Sequence, residues 1–102
     1  MKMPIAEVAD RYTILRIKIE NGLLPDQTNL NEYLAELTEV HTGTLLSINR
    51  AMWVLEDLIT KTCDKELIGS YCLGLRSLSR ERIVEKNNIA KQFGEPLELK
   101  NY

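Results

Sequence analysis

Asp10-Arg11-Tyr12-Thr13-Ile14-Leu15-Arg16-Ile17-Lys18-Ile19-Glu20 is the stretch that decides the fold. Together with Ile5 and Val8, the residues Tyr12, Leu15 and Ile19 recur at steps of three and four, which predicts one apolar stripe of a helix. Ile14 and Ile17 add a second, narrower stripe on another side. A helix that is apolar on two sides packs between neighbours, so some of its interleaved charges lie against buried surface and need partners. A candidate polar site is therefore expected on this helix.

Outward from it, the helix is expected to begin near Pro4 and to stop at Asn21-Gly22, a left-handed stop signal. Leu23-Leu24-Pro25-Asp26 reads as a turn, with Asp26 or Thr28 as the next cap. Leu30, Leu34, Leu37, His41, Thr44, Ile48, Ala51, Leu55 and Leu58 then alternate steps of four and three, predicting a helix from about Asn29 to about Thr60. At 1.5 Å per residue it would be ~48 Å long, against a radius of gyration of ~13 Å for a compact domain of this size. Such a helix bends near Thr42-Gly43 or has its seam covered by another subunit, and a homo-oligomer, dimer or larger, is expected. Asp64 should cap a third helix carrying Leu67, Ile68, Tyr71, Leu75, Leu78, Ile89 and Phe93, with Arg82 in a seam position and Gly94-Glu95-Pro96 as its end. Leu97 to Tyr102 form a tail with alternating apolar residues. The expected fold is a single helical domain over residues 1–102: all-α, a helical hairpin or three-helix antiparallel bundle with one long central helix.

The chain has 102 residues, 27% of them charged, and a net charge of −2. With a pI near 5.4 it offers no global field for nucleic acid or acidic membranes, and neither is expected as a partner. The charge is uneven. Asp26, Glu32, Glu36, Glu39, Glu56 and Asp57 face only Arg50 in the middle of the chain, whereas Arg76, Arg80, Arg82, Lys86 and Lys91 outnumber Glu81 and Glu85 later on. An acidic helix lying beside a basic one, within the fold or across a dimer, is the expectation. The start Met1-Lys2-Met3-Pro4 leads straight into an amphipathic pattern, so no secretory leader is expected, and no run reaches the roughly 18 apolar residues of a membrane span. Cys63 and Cys72 have neither disulfide-scaffold nor metal spacing; they read as reduced, semi-buried fillers in a cytoplasmic protein.

His41, the sole histidine, falls on the apolar seam and reads as a satisfied core residue rather than a ligand. No catalytic constellation, metal site or cofactor is expected. Ser70 and Ser77 have no histidine at defined spacing, and no glycine-rich phosphate loop occurs. Glu36 and Glu39 match the first Glu-x-x-Glu of all-α nucleotide pyrophosphohydrolases, but the second carboxylate pair of that pattern is missing. Arg11, Lys18, Arg50, Arg82 and Lys86 are the cations that a chorismate-type helical mutase would need, without specific spacing. The sharper constellation is Trp53-Val54-Leu55-Glu56-Asp57 with Arg82 and Lys86, an i,i+4 pair on one helix face. Glu56 or Asp57 pairing with Arg82 or Lys86 would neutralise the polar seam position. Alternatively Arg11, Lys18, Arg82 or Lys86 grips an anion while Tyr12 or Trp53 stacks on a ring.

Three separated stretches resemble an uncharacterised bacterial and phage family, a domain of unknown function. Ala6-Glu7-Val8-Ala9-Asp10-Arg11-Tyr12-Thr13-Ile14-Leu15-Arg16-Ile17-Lys18 is similar to its opening, roughly Gly-Glu-Leu-x-Asp-Lys-x-Thr-Ile-Leu-x-Ile-Lys. Met52-Trp53-Val54-Leu55-Glu56-Asp57 resembles its Leu-Trp-x-Ile-Glu-Asp, with Asn49 where the family tends to carry asparagine. Arg82, Lys86, Ile89 and Glu98-Leu99-Lys100-Asn101-Tyr102 resemble its Arg-x-x-x-Lys-x-x-Ile stretch and Glu-x-Lys-Ser-Tyr ending. The resemblance marks Asp10, Arg11, Thr13, Lys18, Trp53, Glu56, Asp57, Arg82, Lys86 and Tyr102, and it implies a loose association with surface-polysaccharide gene clusters and phage genomes. Ser79-Arg80 replace the family's Asn-Asp, and Ala90 replaces a usual asparagine, so a site lined by those residues would be altered here.

Residues and resemblance converge on one expectation: a non-enzymatic helical oligomer binding an anionic small molecule, a nucleotide or nucleotide-sugar, with a phage-encoded sponge for signalling nucleotides as one form. Its ligand-binding set would be Asp10, Arg11, Tyr12, Lys18, Trp53, Glu56, Asp57, Arg82 and Lys86. The alternatives are a protein-interaction adaptor using the heptad seam, and a small helical enzyme on an anionic metabolite.

Overall fold

A computed structural model describes residues 3–23 and 27–97. These form an all-α bundle of four helices, α1 (Ile5–Glu20), α2 (Gln27–Glu36), α3 (Gly43–Lys61) and α4 (Lys65–Gln92), with no strand among the described residues. The turn expected at Leu24 to Asp26, and most of the tail that includes Tyr102, lie outside what is described; Thr28, the alternative cap, falls within the first turn of α2.

α1 stops where its sequence says it should. Gly22 takes φ of 79°, Leu23 N–H reaches back to the Lys18 carbonyl at 3.0 Å, and the Asn21 side-chain amide donates to the Ile17 carbonyl at 2.7 Å. Its start is less usual. Pro4 has no side-chain oxygen with which to cap, and Glu95 supplies one from beyond the end of α4: its carboxylate accepts Ile5 N–H at 2.8 and 2.9 Å.

The single helix expected from Asn29 to Thr60 is two helices. After Glu36 the ladder gives way to tight turns, Leu37 N–H to the Leu34 carbonyl and Val40 N–H to the Leu37 carbonyl. The break carries Leu37 into the same buried cluster as Ala6, Val8, Ala9, Tyr12, Leu45, Ile89 and Ala90. Thr38, Val40, Thr42 and Gly43 are all modest or poor helix formers, so little local preference opposes it. His41, expected in the seam, is exposed instead. Its ring lies over Gly43, where a Cβ would come within 3.1 Å of His41 Cε1.

α3 and α4 form an antiparallel hairpin. Asp64 caps α4 as expected, Oδ1 accepting Glu66 N–H at 2.9 Å and Leu67 N–H at 3.2 Å. The two helices are in close contact at Gly74, whose absent Cβ would stand 3.0 Å from Leu55 Cδ1. α1 lies across the base of this hairpin, with Val8, Ala9 and Ile17 fully covered. No described helix is long and apolar enough to cross a membrane.

Candidate functional site

The face of α1 turned into the bundle carries a carboxylate. Asp10 is 1% exposed, flanked by the small Ala6 and Ala9 that let the neighbouring helices approach. Its Oδ1 accepts Arg82 Nε at 3.0 Å and Asn49 Nδ2 at 2.9 Å, and its Oδ2 accepts Arg82 Nη2. The guanidinium thus grips both carboxylate oxygens, the geometry that makes an arginine–carboxylate pair directional. Asn49 spends its second amide hydrogen on Thr13 Oγ1 at 2.8 Å, while the Thr13 hydroxyl donates to the Asp10 carbonyl at 2.7 Å. This donor count fixes which end of the Asn49 amide faces Asp10, since its oxygen there would meet a carboxylate. One turn earlier, Glu7 accepts Lys86 Nζ at 2.9 Å and Arg11 Nε at 3.2 Å. Among the described residues no buried side-chain polar atom lacks a partner.

Electrostatics keep both carboxyls ionised. Burial would raise the Asp10 pKa, but the hydrogen bonds from Arg82 and Asn49 and the charges of Arg82 and Lys86 outweigh it and hold the group below the usual aspartate value. For Glu7, burial likewise pushes up, and the Lys86 hydrogen bond and charge, with the Arg11 bond, bring the net shift down.

Arg82 is a two-sided residue. Behind it lies Asp10; in front it walls a pocket of about 170 Å³ with Ile14, Ile17, Asn49, Met52, Trp53 and Glu56. This is smaller than the roughly 300–1,000 Å³ of drug-sized sites. Trp53 also borders a hollow with Glu56, Asp57 and Thr60, and another with Leu23, Val54 and Leu58.

Four of the expected site residues therefore meet: Trp53, Glu56 and Arg82 on the pocket, with Asp10 directly behind. Lys86 is buried and committed to Glu7. Arg11 is exposed and interacts with Glu7 and with Tyr33 of α2. Tyr12 is part of the apolar core, with the Arg16 guanidinium 5.9 Å from its ring centroid, and its ring does not line the pocket. Lys18 stands half-buried in the last turn of α1, also off the pocket. Asp57 pairs with Lys61 in its own helix at 2.9 Å and borders only the outer hollows. The ion pairs described for Arg82 and Lys86 run to α1 rather than to the acidic middle of the chain. Asn49 and Glu7 were not among the expected ligand-binding residues. Their signal was present as an asparagine among the apolar residues Leu45, Leu46 and Met52, and a glutamate one turn from both Arg11 and Met3.

No family model, curated protein or solved structure matches the chain.

Proposed function

We propose that this protein binds a compact planar ligand in the pocket between Trp53, Glu56, Asn49 and Arg82. The observation that carries the reading is the way Arg82 is held. A buried ion pair adds little net stability compared with well-packed apolar residues, yet here a carboxylate, an asparagine and a threonine fix one guanidinium at the wall of a pocket. Fixing a polar group by others behind it is how binding sites are made ready for a ligand.

The charges also bear on the ligand. Arg11, Arg82 and Lys86 are balanced by Glu7, Asp10 and Glu56, so the cluster offers no excess of positive charge to a bare anion. A pocket with an arginine, a carboxylate and an indole instead suits a heteroaromatic ring with a donor edge for Glu56 or the Asn49 side-chain oxygen and an acceptor edge for Arg82. The nucleobase part of a nucleotide or nucleoside has those features and fits the small volume, with any phosphate directed outward. The two exposed free thiols, Cys63 and Cys72, favour a reducing compartment such as the cytoplasm.

Trp53 is the sole tryptophan, so its fluorescence reports on the pocket directly. Titration with the common nucleosides and their monophosphates is expected to quench it, with Glu56→Gln weakening binding and Arg11→Ala leaving it unchanged. If none of these compounds perturbs Trp53 at millimolar concentration, the reading fails.

A further inference from the structure

The helices are covered very unevenly. Among the described residues every buried one lies in α1, between Leu37 and Asn49, or from Lys86 to Ala90; from Arg50 to Glu85 none is buried. That interval is the outer part of the α3–α4 hairpin, and it is not apolar-poor: Leu55, Leu58, Ile59, Ile68, Tyr71, Leu75 and Leu78 are all only half-covered. Loose packing between the two helices is not the reason, since Gly74 lets them close to contact at Leu55.

The reason is the length of α1. Ile68, Tyr71, Leu75, Leu78, Arg82, Lys86 and Ile89 form one continuous stripe of α4 at steps of three and four. The C-terminal half of that stripe is covered by α1, through Asp10 on Arg82, Glu7 on Lys86 and the shared core at Ile89. α4 has 28 residues and α1 only 16, about 42 Å against 24 Å of helix. Beyond Arg82, back to the start of α4, α3 is the one described helix that packs against this stripe. Two helices alone leave an apolar stripe open, and the stable arrangement places further helices over it.

The total surface of the chain is larger than a compact monomer needs, by an amount on the scale of an interface. A globular monomer of 11.7 kDa exposes about 5,900 Å², whereas this chain exposes 6978 Å². The excess, about 1,100 Å², exceeds the ~800 Å² that each partner contributes to a standard stable interface. The radius of gyration, 14.9 Å, likewise exceeds the ~12.8 Å of a compact chain of this length.

We infer that a second copy of this chain covers the stripe: two α3–α4 hairpins pack by their outer halves into an antiparallel four-helix bundle around a two-fold axis. Self-association satisfies both open faces with one contact, because a two-fold interface uses the same patch on each subunit. The inference does not rest on what the pocket binds.

Sedimentation velocity of the unmodified chain over a wide concentration range tests it without any substitution. Twice the 11.7 kDa chain mass is expected at micromolar concentration. Two glutamate variants at positions already exposed in the single chain then locate the interface. Leu67→Glu, beside the stripe, should give monomers, and Leu73→Glu, on the far side of α4, should leave the dimer intact. Circular dichroism of each variant checks that the helices persist. A chain that stays at 11.7 kDa into hundreds of micromolar overturns the inference and leaves the face for a helix of another protein. A dimer broken by Leu73→Glu but not by Leu67→Glu overturns it equally, since the contact would then use the opposite side of α4.

Discussion

Arg82 and Asp10, seventy-two positions apart in sequence, meet through the Nε–Nη2 edge of the guanidinium and both carboxylate oxygens, and the carboxylate is buried while the arginine side chain remains 30% exposed. The two partners should therefore respond unequally to substitution. Arg82→Met strands a buried carboxylate and is expected to lower the unfolding free energy by about 3–5 kcal/mol. Asp10→Leu strands an arginine that water can still reach, and should cost less. The double variant should recover most of either loss. A urea-denaturation cycle measures this, and additive single effects would mean that the pair is not coupled.

Asn49 stands where a charge would be intolerable. It donates to both Asp10 and Thr13, so Asn49→Asp sets one carboxylate against another in a buried place. The expected loss at neutral pH exceeds the ~1–3 kcal/mol of an unsatisfied buried polar group, and should shrink on acidification as one carboxyl takes up a proton. A loss that does not vary with pH would contradict this.

Stability of the unmodified chain should also fall in acid. Glu7 and Asp10 both have folded-state pKa values below their unfolded ones. Their stabilising contribution is complete above the unfolded carboxylate range, about 3.9–4.3, and is lost as pH falls through the lowered folded values. Urea midpoints should thus hold steady from neutral pH to about 5 and decline below about 4. Glu7→Gln should remove part of that decline.

The two helix caps differ in reach, and their loss should be felt in different places. Asp64→Ala removes a local cap of α4, Glu95→Ala a distant cap of α1. Each should cost about 1 kcal/mol. Hydrogen exchange should speed up at Glu66 and Leu67 in the first case, and at Ile5 and Ala6 in the second. Faster exchange at Ile5 in the Asp64→Ala variant would argue that the caps are not independent.

What could be read from the chain divides along the range of the forces involved. The all-α class, the stop at Gly22, the cap at Asp64 and the end near Gly94 are local matters of backbone preference and short-range hydrogen bonding, and they are legible. The break between α2 and α3 is legible only as one alternative, a bend near Thr42-Gly43, because the steps from Leu30 to Leu58 stay in register across it; what decides it is burial of Leu37 against α1. Asp10 and Arg82 were legible as members of one polar cluster, but not as each other's partners. Pairing of that kind depends on how α1 crosses the hairpin, and Glu56 was an equally good partner on spacing alone. Tyr12 was read both as part of the apolar stripe and as a ring for a ligand, and the structure bears out the stripe: an aromatic beside arginines looks the same whether its ring faces a ligand or the core.

α1 precedes the other helices in synthesis, yet the groups that complete it come later: Asn49 thirty-six positions after Thr13, Arg82 seventy-two after Asp10, Glu95 ninety after Ile5. The α3–α4 hairpin needs only neighbours, and contacts between near neighbours form soonest. Docking of α1 on the α3–α4 hairpin thus waits for residues near the far end of α4. Until Arg82 arrives, Asp10 leaves a hydrated charge on the mostly apolar face that α1 later buries. The group that is hardest to bury in the finished protein is the one that keeps the waiting helix from sticking to anything else.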